Sequence, residues 1–189
     1  IAIPTVISAT RLQQSILDTP ASITVIDRAM IRALGARELP DILRLVPGMV
    51  AGRESGSESF VGYHGTSADG ARRMQVLVDG RSIYEAALAR VDWIGLPLDV
   101  EDIERIEVVR GPNSATYGAN SFFGVVNIIT RSALEVPNAE VIGRGGDDRI
   151  ADGFARLSLH GLGGDWAWSA FHREDTGFDI DARKKTPFN

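Results

Sequence analysis

Three histidines, His64, His160 and His172, are the only imidazoles in the chain. They lie far apart and form no His-x-x-x-His pair. There is no cysteine to complete a thiolate site, so no metal ion and no cofactor is expected. Ser114 follows Gly-Pro-Asn and does not sit in a Gly-x-Ser-x-Gly elbow. Gly143, Gly145 and Gly146 miss the dinucleotide fingerprint, and no Walker sequence occurs. Glu101, Asp102, Glu104 and Glu107 are dense enough in carboxylates for acid–base chemistry. They read better as a solvated helix start, with negative charge at the favourable end of the macrodipole. Asp79-Gly80 reads as a turn pair, not as a catalytic acid. No catalytic constellation emerges, and an enzyme is not expected.

Composition narrows the remaining classes. In 189 residues, 44% hydrophobic and 24% charged side chains give the balance of a globular protein. A net charge of -5 disfavours binding to phosphate backbones, so no nucleic-acid partner is expected. No apolar run reaches the ~18 residues of a membrane-spanning helix. The start, Ile1-Ala2-Ile3-Pro4, lacks a charged signal region and reads as processed or trimmed.

The elements that must position any site fall into two parts. Up to about residue 132, short strands alternate with short helices. An extended segment covers Thr5 to Thr10, and Ser22 to Ile26 is a β-branched strand. Asp27 can cap a helix whose apolar face is Met30, Ile31 and Leu34 and whose end is Gly35. A second helix, about Leu39 to Val46, takes Pro40 in its first turn and buries Ile42, Leu43, Leu45 and Val46. Ala51 to Ser59 reads as a Gly/Ser-rich loop. Met74 to Val78 is a strand that ends at Asp79-Gly80, and Arg81 to Pro97 is a long loop. Asp99 caps a short turn. Arg105–Val109 and Val125–Thr130 are strands joined by a turn-dense loop. The sum is a small mixed α+β domain.

From about residue 139 the chain reads as strands and turns only, with Pro137-Asn138 as the joint. Ala155, Leu157 and Leu159 alternate with Arg156, Ser158 and His160. Trp166, Trp168 and Ala170 share a face after the turn at Gly161–Gly164. Runs of about nine residues fit tilted strands crossing a bilayer, and tryptophans near strand ends fit an interfacial girdle. A hairpin of a soluble sandwich gives the same alternation.

One stretch carries a resemblance. Ile103-Glu104-Arg105-Ile106-Glu107-Val108-Val109-Arg110-Gly111-Pro112 leads into Ser114-Ala115-Thr116-Tyr117-Gly118-Ala119-Asn120, then Gly124-Val125-Val126-Asn127-Ile128-Ile129-Thr130-Arg131. This resembles the signature block of the plug in TonB-dependent outer-membrane receptors. Thr19–Ile26, Asp41–Met49 and Val76–Arg81 resemble other plug blocks, in the family's order. The resemblance implies a plug fold, α+β with a small mixed sheet, short helices and long loops. Two or three antiparallel strands from the start of a transmembrane β-barrel would follow. The expected domains are an extended N-terminal segment at 1–10, the plug at 11–132 and the first barrel strands at 133–189.

It also implies a function: gating of energy-coupled nutrient uptake across the Gram-negative outer membrane, with a ferric siderophore as the commonest ligand. The plug would sit inside its barrel, facing the periplasm. The implied partners are TonB, the protein's own barrel, an iron chelate or similar small ligand, and the outer membrane. The alternative is a barrel-less soluble binding module with a plug-like fold. Pro4, Thr5, Val6, Ile7, Ser8 and Ala9 resemble the extended box offered to TonB, which would add a strand to the partner's sheet. They read equally as a lead-in strand. Arg53, Glu58, Tyr84 and Trp93, on the loops Gly52–Ser59 and Ser82–Trp93, are the expected ligand-facing residues. Arg105 and Arg110 read as surface arginines from their own surroundings. The family implies that they pair with carboxylates of the barrel wall. His64 stands where the family commonly has arginine, so it is either a pH-sensitive plug–barrel contact or a loop residue that packs locally. Gly111, Gly118 and Gly124 allow backbone angles or close approaches that a Cβ would forbid. Barrel strands without a barrel would be disordered, folded back or exchanged with a second copy.

Overall fold

The computed structural model describes residues 5–8, 14–19, 21–55, 58–64, 73–85, 87–88, 90–118, 120–135, 138–147, 149–161 and 163–176. The chain forms two compact units, residues 1–136 and 137–189.

The first unit contains β1 (Thr5–Val6), β2 (Gln14–Ser15), β3 (Ser22–Asp27), α1 (Arg28–Leu34), α2 (Leu39–Leu43), β4 (Met49–Ser55) and β5 (Glu58–Tyr63). It continues with β6 (Met74–Val78), β7 (Arg81–Ser82), β8 (Ile103–Arg110), α3 (Ser114–Tyr117) and β9 (Gly124–Thr130). Five strands form one sheet in the order β3-β8-β9-β6-β7. It is mixed: β6 runs parallel to β9, and the other pairs are antiparallel. The middle strands read as continuous Val/Ile runs because both faces are covered. Val76, Ile106, Val108, Val126 and Ile128 pack on one face with Ile31, Leu39, Ile42, Leu43 and Val46. Leu77, Val109 and Val125 pack on the other with Ile23 and Tyr117. Each such side chain contributes about 1.5–3 kcal/mol when fully buried.

The signature block forms two neighbouring antiparallel strands, β8 and β9, as expected. Gly111 at φ 99° and Gly118 at φ 86° bend the loop between them. Gly124 is needed for a close approach, since a Cβ there would lie 2.6 Å from the Val109 carbonyl oxygen. The Asp27 carboxylate caps α1 by accepting from the Met30 N–H at 2.8 Å, and Gly35 closes it at φ 67°.

Four details differ from the sequence reading. In α1 only Ile31 is buried, and Met30 and Leu34 are exposed, because so short a helix presents one narrow side to the core. The second helix ends at Leu43. The irregular turn after it buries Val46 and leaves Leu45 exposed. The supposed loop at 51–59 belongs to a β-hairpin of β4 and β5. Gly52 hid this strand. The ring of Phe60, its cross-strand partner, covers the place where its side chain would be. Finally, the carboxylates near residue 100 are not solvated. Glu101, Asp102 and Glu107 are buried, as is the neighbouring Asp99, and Glu104 is half-buried. Arg28 and Arg131, from distant parts of the chain, bond the Glu101 backbone carbonyl, and Arg28 also pairs with its carboxylate.

The second unit is a three-stranded antiparallel sheet of β10 (Ala139–Gly145), β11 (Ala151–Gly161) and β12 (Gly164–Glu174). These three strands are therefore ordered, contrary to one of the expected outcomes. The sheet forms within one chain, so strand exchange with a second copy gains no support from it.

Candidate functional site

The N-terminal segment is seated on the central sheet. Val6 and Ser8 are fully buried, and Ile7 between them is 38% exposed. One carboxylate oxygen of Glu107 accepts the N–H of Ile7 at 2.9 Å, the N–H of Ser8 at 2.8 Å and the hydroxyl of Ser8 at 2.7 Å. Asn127, paired with Glu107 across β8 and β9, donates to the Ser8 hydroxyl oxygen at 3.0 Å. Thr5 lies in β1, which pairs with β2. Pro4 and Ala9 lie outside the described residues. Sequence reasoning placed Glu107 in a surface cluster and missed Asn127. The signal that could have found them is a polar residue inside each of two otherwise apolar strands. Such groups must be satisfied by partners when both faces are covered.

The expected ligand-facing residues lie on two stretches of the chain, β4–β5 and the segment after β7. Arg53, on β4, is half-buried and bonds the Glu38 carboxylate, which also accepts from the Ser59 hydroxyl. Glu58 opens β5 at the tip of the same hairpin, and its side chain lies outside the described residues. Tyr84 is half-buried against the core. Trp93 is drawn into the core at 6% exposure, and its indole Nε1 makes no hydrogen bond among the described residues.

The expected barrel-facing residues differ among themselves. His64 is exposed at φ 53°, at the end of β5, with its ring edge-on to Tyr63 at 4.1 Å between centroids. Arg105 bonds Glu107 Oε1 at 2.9 Å and keeps 25% of its side chain exposed. Arg110 donates to the Ser22 hydroxyl at 2.6 Å.

The second unit reverses the usual polarity of a sheet in water. Along β11 the buried positions are Asp152, Phe154, Arg156 and Ser158. The exposed positions include Leu157 and Leu159, which pair with Trp168 and Trp166. Val141 on β10 is 83% exposed, and the two tryptophan rings stack 6.2 Å apart. A strand that buries Asp152, Arg156 and Ser158 beside Phe154 and exposes leucines next to tryptophans suits a surrounding of hydrocarbon. No helix among the described residues is long and apolar enough to cross a membrane, which does not bear on strands.

The TonB-dependent receptor plug domain family matches residues 15–125. The chain belongs to that family. The plug and the strands after it are 34% identical over 186 residues to the vitamin B12 transporter BtuB of Photobacterium profundum, covering 97% of this chain and 29% of that protein. The chain is 36% identical over 131 residues to an iron-regulated outer membrane virulence protein of Vibrio cholerae serotype O1, covering 67% of this chain and 20% of that one. Among solved structures, the ferripyoverdine receptor of Pseudomonas aeruginosa matches at a TM-score of 0.69 and 21% identity, over 91% of this chain and 22% of its own. The ferric yersiniabactin uptake receptor of Yersinia pestis matches at 0.64 and 20%, over 81% and 24%. At these identities the structural likenesses establish the fold alone. The chain spans less than a third of the length of these relatives.

Proposed function

We propose that this chain is the plug and the first barrel strands of an outer-membrane receptor that imports a scarce nutrient with energy supplied through TonB. The observation that carries this reading is the inverted polarity of β11, with Asp152, Arg156 and Ser158 buried while Leu157 and Leu159 face outward. A soluble sandwich loses stability by that arrangement, whereas a barrel wall requires it. This favours a receptor over a soluble module with a plug-like fold. The plug sits inside the barrel with its N-terminal end toward the periplasm. Its chemistry is binding and gating, without covalent catalysis.

The ligand is a metal-centred chelate. A relative that covers 97% of this chain is named a vitamin B12 transporter, which favours a corrinoid. A ferric siderophore is the second reading, supported by the iron-regulated relative. The hairpin carrying Arg53 and Glu58 and the loop carrying Tyr84 form the ligand-facing surface, and Trp93 holds that loop in place. Arg105, Arg110 and His64 face the barrel wall. The segment around Thr5–Ser8 is the part offered to TonB.

The test is ligand binding by the full-length receptor and by its Arg53→Ala, Glu58→Ala and Tyr84→Ala variants. At least one variant is expected to lower affinity for cobalamin or a ferric siderophore tenfold or more, ~1.4 kcal/mol. Unchanged affinity in all three removes the proposed surface.

A further inference from the structure

The hairpin of β4 and β5 leaves the core at one cross-strand pair. Its lower part is anchored: Met49 and Val61 belong to the core, and the Phe60 ring closes over Gly52. Arg53 and Ser59 are the next pair, and the last regular one. Beyond it the register shifts, so that Ser55 faces Glu58 and Glu54 is the extra residue of a β-bulge. A bulge bends and twists the strand that carries it, so the direction of the hairpin tip is set there.

Both members of that pair reach one side chain from another element. Oε1 of Glu38 accepts from Arg53 Nη2, and Oε2 accepts from the Ser59 hydroxyl at 3.3 Å. Glu38 occupies the N-cap position of α2, yet its side chain makes no capping bond to the helix. Ser, Thr, Asp and Asn are the residues that cap well. Here the carboxylate turns to the hairpin instead. The side chains of Arg53 and Glu38 are 26% and 20% exposed, so salt and water screen the pair only in part. A guanidinium carries several N–H donors in a rigid fork. Held by Glu38, Arg53 offers donors whose charge is already balanced.

We propose that Glu38 is a positioning residue for ligand recognition, which fixes the hairpin at its bulge and keeps Arg53 a charge-balanced donor. Such a donor suits neutral acceptors, as in the carboxamides that rim a corrinoid. It disfavours an anionic iron chelate, which the Glu38 carboxylate itself repels. This inference rests on the proposed reading of the hairpin as ligand-facing.

The test measures equilibrium binding of cyanocobalamin and of ferric enterobactin, an anionic tris-catecholate, to the full-length receptor. The parent should bind cyanocobalamin the more tightly. Glu38→Gln keeps the shape and removes the charge. It should raise affinity for the anionic probe relative to cyanocobalamin about tenfold or more. The shift should vanish when Arg53→Ala is added. A purely structural role would weaken both probes alike and leave their ratio unchanged. Glu38→Ala should also speed amide exchange across residues 49–63 about tenfold or more, while β8 and β9 keep their protection. An unchanged ratio in Glu38→Gln, where Arg53→Ala does weaken binding, overturns the role of Glu38 alone. Unchanged binding of both probes by Arg53→Ala overturns the ligand-facing reading, and this inference with it. A parent that does not bind cyanocobalamin the more tightly overturns the stated preference, and unchanged exchange at 49–63 in Glu38→Ala overturns the fixing of the hairpin.

Discussion

Replacing Arg28 by methionine should loosen the junction between α1 and the start of β8. Arg28 Nη1 donates to the carbonyls of Glu101 and Ile103, both at 2.9 Å, and Nη2 donates to the Glu101 carboxylate at 2.8 Å. The two side chains are 16% and 12% exposed, so salt and water screen the pair little. Methionine keeps most of the aliphatic stem and removes these hydrogen bonds. Taking one partner from a buried pair costs about 3–5 kcal/mol. Here the loss is softened. Arg32 remains 3.6 Å from the Glu101 carboxylate, and Arg131 still reaches the Glu101 carbonyl at 3.1 Å. We expect about 2–4 kcal/mol, which is roughly a 30-fold to 1,000-fold rise in the opening equilibrium. Hydrogen exchange read by mass spectrometry on peptides spanning residues 22–34 and 100–110 measures that opening directly. Arg32→Met is the control. Its side chain is 53% exposed, and its loss should cost no more than about 1 kcal/mol. A rise below about threefold in Arg28→Met, or equal effects of the two variants, would refute the reasoning.

Three further outcomes follow from the same structure. Gly124→Ala places a Cβ 2.6 Å from the Val109 carbonyl, where backbone must shift, and should destabilise the sheet by about 1–3 kcal/mol in denaturant titration. Ile106→Ala empties a fully buried site and should cost about 2–5 kcal/mol by the same assay, with unchanged insertion of the protein into membranes. Leu157→Arg, on the outward face of β11, should cost about 2–4 kcal/mol in a bilayer if it lies near the midplane. A sheet facing water would tolerate it within about 0.5 kcal/mol, so folding into lipid vesicles separates the two surroundings.

Much of the fold was legible because local chemistry and tertiary structure agree in β3, β6, β8 and β9. The runs in β6, β8 and β9 are buried on both faces, β3 at the edge buries Ile26, and the Asp27 cap and the Asp79-Gly80 turn do what their types suggest. The hairpin at 49–63 was hidden because its pairing compensates for weak strand formers, with Phe60 covering Gly52. The carboxylates misled because their surroundings come from far along the chain. Arg28 reaches Glu101 across 73 residues, and Ser8 reaches Glu107 across 99. A run of Asp and Glu read locally is a solvated helix start, and only the long-range arginines and backbone donors make it an interior network. Trp93 reads as a loop aromatic for the same reason, since nothing nearby in sequence announces the core that receives it.

Accumulation of radiolabelled cobalamin and of ferric siderophores by cells making the full-length receptor tests the central claim most directly, with and without a working TonB. The account predicts uptake of one of these ligands that stops when TonB is removed. Binding without accumulation of any such ligand, or accumulation that persists without TonB, would contradict it.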